Sequence, residues 1–187
     1  MADEPLLDAK DFLTEQHLRI IQSIIDLQMA LSAAEFMSEV CNEDRLTRVI
    51  RRRHRCFEDA AVIAYGRAFT DSKGLVAFSF KLLKFKPTPI QQELHERLLD
   101  RRKKVVAHSD AERQRILFQT EKFEADTATV MLPHIDSDDA LHFFDDRMML
   151  IEWLGLLIKK ASSVIFEVVQ GKPPMRFLRD YKFPIST

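Results

Sequence analysis

A chain of 187 residues with 46% hydrophobic side chains can bury a core of its own and suits one domain. Its 28 Lys and Arg stand against 29 Asp and Glu, a formal net charge of −1, so a nucleic-acid role cannot rest on overall charge and needs segregated charge. The sequence holds no P-loop, no dinucleotide-type Gly-rich turn and no nucleophile elbow, and its 4 glycines favour helices over a strand-rich fold.

The 2 cysteines, Cys41 and Cys56, have no zinc-type spacing and are expected to be small buried hydrophobes in a reduced compartment. Met-Ala-Asp-Glu-Pro at the start is acidic and lacks an apolar signal core. No apolar run reads as a membrane span, since residues 148–158 are too short and are interrupted by Glu152. The expectation is a cytoplasmic protein with no membrane partner.

In chain order, residues 1–13 read as a frayed lead-in. Over residues 14–40, Leu18, Ile21, Ile24, Ile25, Leu27, Leu31 and Phe36 recur at helical spacing, with Thr14-Glu15-Gln16-His17 as a start cap. Asn42 stops that helix and caps a second over residues 43–69. The second places Leu46, Val49, Ile50, Phe57, Ala60, Ala61, Ile63 and Ala64 on its apolar side. So short a connection predicts antiparallel packing. Residues 70–89 form a loop around the turn Asp71-Ser72-Lys73-Gly74, and Phe78, Phe80 and Phe85 are expected to pack it onto the helices.

A third helix follows over residues 89–107, with Pro87 and Pro89 at its start. Residues 116–121 and 128–132 are β-prone around residues 122–127, the signature of a small hairpin. The last long helix spans residues 137–170 and is ended by Gly171, Pro173 and Pro174. A basic, aromatic tail covers residues 172–187. The predicted fold is all-α: a single domain over residues 1–187, a four-helix up-and-down bundle with a small β-hairpin before the last helix.

Charge is segregated along this frame. Arg45, Arg48, Arg51, Arg52, Arg53 and Arg55 crowd the second helix and Arg101, Arg102, Lys103 and Lys104 the third, whereas Asp136, Asp138, Asp139, Asp145 and Asp146 gather acid. A basic face and an acidic face are expected. His134, Asp136, Asp138 and Asp139 read as a loop entering a first helical turn, where acids suit the dipole, rather than as metal ligands. His95-Glu96 is no H-E-x-x-H zinc motif, because Leu99 occupies the second histidine's place. Trp153 reads as core or dimer interface, and His54 as part of a solvated basic face. No metal or cofactor is expected.

The end of the third helix carries the candidate site. At about 100° per residue, Ile90, Leu94, Leu98 and Val105 share one side, with Leu99 and Val106 widening the arc. Arg102 falls inside that arc, and Arg101 and His108 at its edge. An arginine pointing the way the leucines point needs a partner or a function, since burying a charge costs several kcal/mol. Cations near a helix C-terminus and snorkelling stems are the structural alternative. Tyr65 and Arg67, near the end of the second helix, either line the same cleft or reduce to a buried tyrosine with a satisfied hydroxyl.

The spacing from arginine to His108, in an Ala-His-Ser-Asp ending, resembles the R-x(4–6)-H motif of the HEPN superfamily of helical RNases, its abortive-infection (Abi) U-like branch in particular. Arg102 leaves five intervening residues and Arg101 six. Tyr65-Gly66-Arg67-Ala68-Phe69-Thr70 is similar to that branch's Tyr-x-Arg-x-Phe segment. Where the family often has Asn, Asp or His after the arginine, Lys103 follows Arg102 and Arg102 follows Arg101.

The resemblance implies metal-independent RNA cleavage by attack of the 2′-hydroxyl. His108 would be the acid/base, Arg102 the phosphoryl stabiliser with Arg101 its competitor, and Lys103, Lys104, Tyr65 and Arg67 would contact RNA. It also implies a homodimer with the site at its interface, and an antitoxin protein as a further partner. The alternative is a catalytically silent helical module that dimerises or binds a partner.

Overall fold

The structure, a computed structural model, describes residues 7–8, 12–39, 47–70, 76–106, 116–125, 128–137, 140–173 and 175–176. In order these form β1 (Leu7–Asp8), α1 (Glu15–Ser38), α2 (Arg48–Phe69), α3 (Pro89–Val106), β2 (Ile116–Ala125), β3 (Ala128–Ser137), α4 (Arg147–Val169) and β4 (Met175–Arg176). The protein is mostly helical, with an antiparallel two-stranded hairpin before the last helix.

Local chemistry sets the helix starts. At α1 the Thr14 hydroxyl accepts from the His17 amide while His17 Nδ1 accepts from the Thr14 amide, a reciprocal capping box. Thr88 and Gln91 exchange the same pair of bonds where α3 begins. Thr47 caps α2 through the Ile50 amide, so this helix starts later than residue 43; Asn42, like Arg45 and Cys41, lies outside the described residues.

The largest departure is at α4, which begins at Arg147 and not near residue 137. Ser137 ends β3, paired with Ile116, so His134 and Asp136 sit in a strand and not in a helical first turn. Residues 140–146 stay non-helical because Glu58 of α2 claims their backbone: its Oε2 accepts the amides of His142 and Phe143, both at 2.8 Å. Phe143 and Phe144 are buried beneath that clamp. At the other end Gly171 takes φ 73°, the left-handed conformation that stops a helix.

α1 packs against α2 and α4, and α2 against α3. The first pair runs antiparallel: Arg19 reaches the carbonyls of Arg67, Ala68 and Thr70, Asp26 meets Arg67, and Phe36 stacks on Phe57. The second pair does too, with His95 against Tyr65 and Arg101 against Asp59. Trp153 is core, among Phe80, Phe85 and Tyr65, and Phe78 and Leu83 bring residues 76–88 onto the helices.

The inward faces differ from the predicted ones. α1 buries Arg19, Ser23 and Asp26 beside Ile20, Leu27 and Ala30, and leaves Ile25, Met29 and Phe36 exposed. Among the described residues α1 is also the one helix long and apolar enough to cross a membrane, with 44% of its apolar stretch buried. α2 buries His54 and exposes Val49 and Cys56, correcting both the solvated His54 and the buried Cys56. The hairpin is longer than predicted, ten residues in each strand, and packs chiefly on itself. A short parallel bridge pairs Leu7 with Met175 and Asp8 with Arg176.

Candidate functional site

The C-terminal half of α3 holds two neighbouring arginines that the helix turns in different directions, since consecutive residues point about 100° apart. Arg102 faces α2, as its place in the apolar arc predicts. Its stem crosses Gly66 so closely that a Cβ there would meet Arg102 Cγ at 2.4 Å and Cδ at 3.0 Å. The side chain is half-buried, and its Nε is out of reach of water with no hydrogen-bond partner. Among the described residues no carboxylate pairs with it.

Arg101 turns instead to a cleft of about 220 Å³ lined with Arg97, Asp100, Lys104, His142 and Phe143. It is only 14% exposed, its Nε is also buried without a partner, and its nearest acid, Asp59, stands 3.7 Å away. Asp59 is already taken by Arg55, which donates to both its oxygens at 3.1 Å. The other cations of the cleft are paired: Arg97 with Asp146 at 2.7 Å, and Lys104 with Asp100 one turn back. Arg97 also lies over the Phe143 ring, 5.2 Å from its centre. Lys103 is exposed. His108 lies outside the described residues, as do residues 107–110 around it.

The structure thus brings Arg101 and Lys104 together and directs Arg102 elsewhere. Tyr65 corrects the expectation of an RNA-contacting side chain: it is fully buried, so no atom of it meets solvent. Its hydroxyl accepts the Trp153 indole N–H at 3.1 Å and bonds His95 Nδ1 at 2.6 Å. Burial pushes the Tyr65 phenol far above its usual range, so it keeps its proton and donates it to His95. Nδ1 then accepts, and the proton of neutral His95 sits on Nε2. Burial pushes His95 down, partly opposed by Glu96, which favours that neutral form. Arg67 is exposed and pairs with Asp26 at 3.1 Å. Phe69 joins an aromatic group with His95, Phe78 and Phe80.

Sequence reasoning passed over Asp59, Glu58 and Arg97, and weighed His95 only against a zinc motif. The first two carried a signal: Glu58 falls on the same α2 stripe as Ala61 and Tyr65, and Asp59 lies four residues after Arg55. Burial raises the Glu58 carboxyl above its ordinary value, against the pull of the Phe143 and His142 amides and of Arg55. Among the described residues no group of three or more His, Cys, Asp or Glu could hold a metal ion. Comparison with family models, with curated proteins and with solved structures finds no match to the chain.

Proposed function

We propose that this chain is a metal-independent endoribonuclease of a defence or toxin–antitoxin type, an up-and-down HEPN-like bundle acting as a homodimer on RNA. One observation carries the reading. Arg102 is half-buried, dry at Nε and without a carboxylate partner among the described residues, on a helix that ends two residues before His108 in the sequence. A guanidinium held this way is costly for stability and useful for chemistry, because it is preorganised for charge that appears only during reaction. The antiparallel helix pairs and the hairpin before α4 support the same reading.

In this mechanism a 2′-hydroxyl attacks the adjacent phosphorus, the bond to the 5′-oxygen breaks, and the ends are a 2′,3′-cyclic phosphate and a 5′-hydroxyl. Histidine exchanges protons near neutral pH, so His108 moves the proton, and Arg102 neutralises the phosphoryl oxygens through its two-pronged N–H fork. Lys103 holds the substrate backbone. An antitoxin protein would act by covering this surface.

The test is RNA cleavage by the purified chain in excess chelator. Wild type is expected to leave cyclic-phosphate ends, and His108→Ala to lose about 100-fold or more of the rate. Arg102→Ala is expected to lose a similar factor. Absence of cleavage by folded wild-type protein over several RNA classes would sink the proposal.

A silent dimerisation or partner-binding module is the second reading. Ile25, Met29 and Phe36, exposed along one side of α1, favour it. An in vivo phenotype unchanged by His108→Ala would select it.

A further inference from the structure

We infer that the cleft between α3 and residues 140–146 is a separate phosphate-binding subsite, centred on Arg101, that holds a backbone phosphate of single-stranded nucleic acid. In naming that ligand the inference rests on the nuclease reading; the anion site itself does not. Arg97, Arg101 and Lys104 stand at i, i+4 and i+7 on one side of α3, so three cations converge on one concave wall.

Among the described residues, the acids that meet these cations are already engaged. Asp146 is taken by Arg97, Asp100 by Lys104 and Asp59 by Arg55. Among the described residues of the cleft, Arg101 is the remaining cation: it reaches Asp59 only at 3.7 Å, its Nε has no partner, and it lines the cleft. A half-buried guanidinium short of one acceptor, beside an opening large enough for a small anion, is matched by a phosphate oxygen. Glu58 fixes the opposite wall by clamping the His142 and Phe143 amides, so the opening is built before any ligand arrives. Arg101 and Arg102 therefore serve different phosphates, and Arg101 is a binding residue and no substitute for Arg102.

Full-length chain titrated with inorganic phosphate, and separately with a short single-stranded deoxyoligonucleotide that lacks the attacking hydroxyl, tests the site. Arg101→Gln is expected to weaken oligonucleotide binding about tenfold and to reduce the slope of log affinity against log salt by about 0.7. Lys159→Gln, an exposed cation on α4, is expected to change neither. Asp59→Asn removes the acid nearest Arg101 and is expected to tighten both ligands, a gain that a misfolded variant cannot give.

Equal binding by wild type and folded Arg101→Gln, or weakened binding by folded Asp59→Asn, overturns the subsite. Phosphate binding controlled by Arg101 without oligonucleotide binding overturns the nucleic-acid ligand in favour of a free phosphate. None of these readouts involves cleavage. RNA cleavage together with binding indifferent to Arg101 would keep the nuclease and reject the subsite.

Discussion

Gly66 matters because of what lies over it. A methyl group there would push into the root of the Arg102 side chain, where little can yield. Overpacking costs about 1–3 kcal/mol, more than the ~1 kcal/mol that alanine gains over glycine in a helix. Gly66→Ala is therefore expected to lower the urea midpoint, and under the nuclease reading to slow cleavage by displacing Arg102; an unchanged midpoint would refute the close approach. Next to it, Tyr65→Phe would strand the Trp153 indole N–H in the core. The expected loss is about 1–3 kcal/mol in denaturant unfolding. Arg102 was legible in the sequence because Leu94 and Leu98 define its face. His54 was not: five arginines around it suggest solvent, yet it lies on the buried α2 stripe His54, Glu58, Ala61, Tyr65.

The helices were legible to within a few residues where a cap or proline marks the end, as at Thr14, Pro89 and Gly171, whereas the start of α2 was read too early because Thr47 and not Asn42 caps it. The start of α4 was not legible, because what holds residues 140–146 out of the helix is a carboxylate from α2, distant in sequence. The apolar faces of α1 and α2 were misread for a related reason. Small and polar residues such as Ala30, Ala34, Ser23 and Asp26 take the inside positions where helices approach closely, and periodicity counts only large apolar ones. Among the described residues the hairpin packs chiefly on itself. Replacing residues 116–137 with a short flexible linker is expected to leave the thermal midpoint within about 2 °C of wild type, no more than a 1 kcal/mol loss produces in a domain of this size. A larger drop would mean that the ribbon supports the helices.

Across the molecule, pH acts through groups that burial holds away from their ordinary values. Burial pushes His54 below 6.5, helped by Arg53 and Arg147 and opposed by the Met37 backbone and Glu39, and it pushes His95 the same way. The folded chain thus binds fewer protons than the unfolded one in that range. The stability involved is present above pH 6.5 and is lost as pH falls below it. Glu58 and Asp26, raised by burial above 4.5 and 3.8, act with the opposite sign, stabilising most at the lowest pH and less as pH climbs past those values. Urea midpoints measured from neutral pH downward are expected to fall below pH 6.5 in wild type and less steeply in His54→Gln; parallel curves would remove His54 from the account.

The β1–β4 bridge joins segments from opposite ends of the sequence in a parallel pair of only two residues each. Closing so long a loop costs entropy that so few hydrogen bonds cannot repay until α1 and α4 have already docked. In a refolding experiment the bridge is thus a completion signal: its amides should be among the last to become protected from exchange, after those of the helices that bring the two segments together.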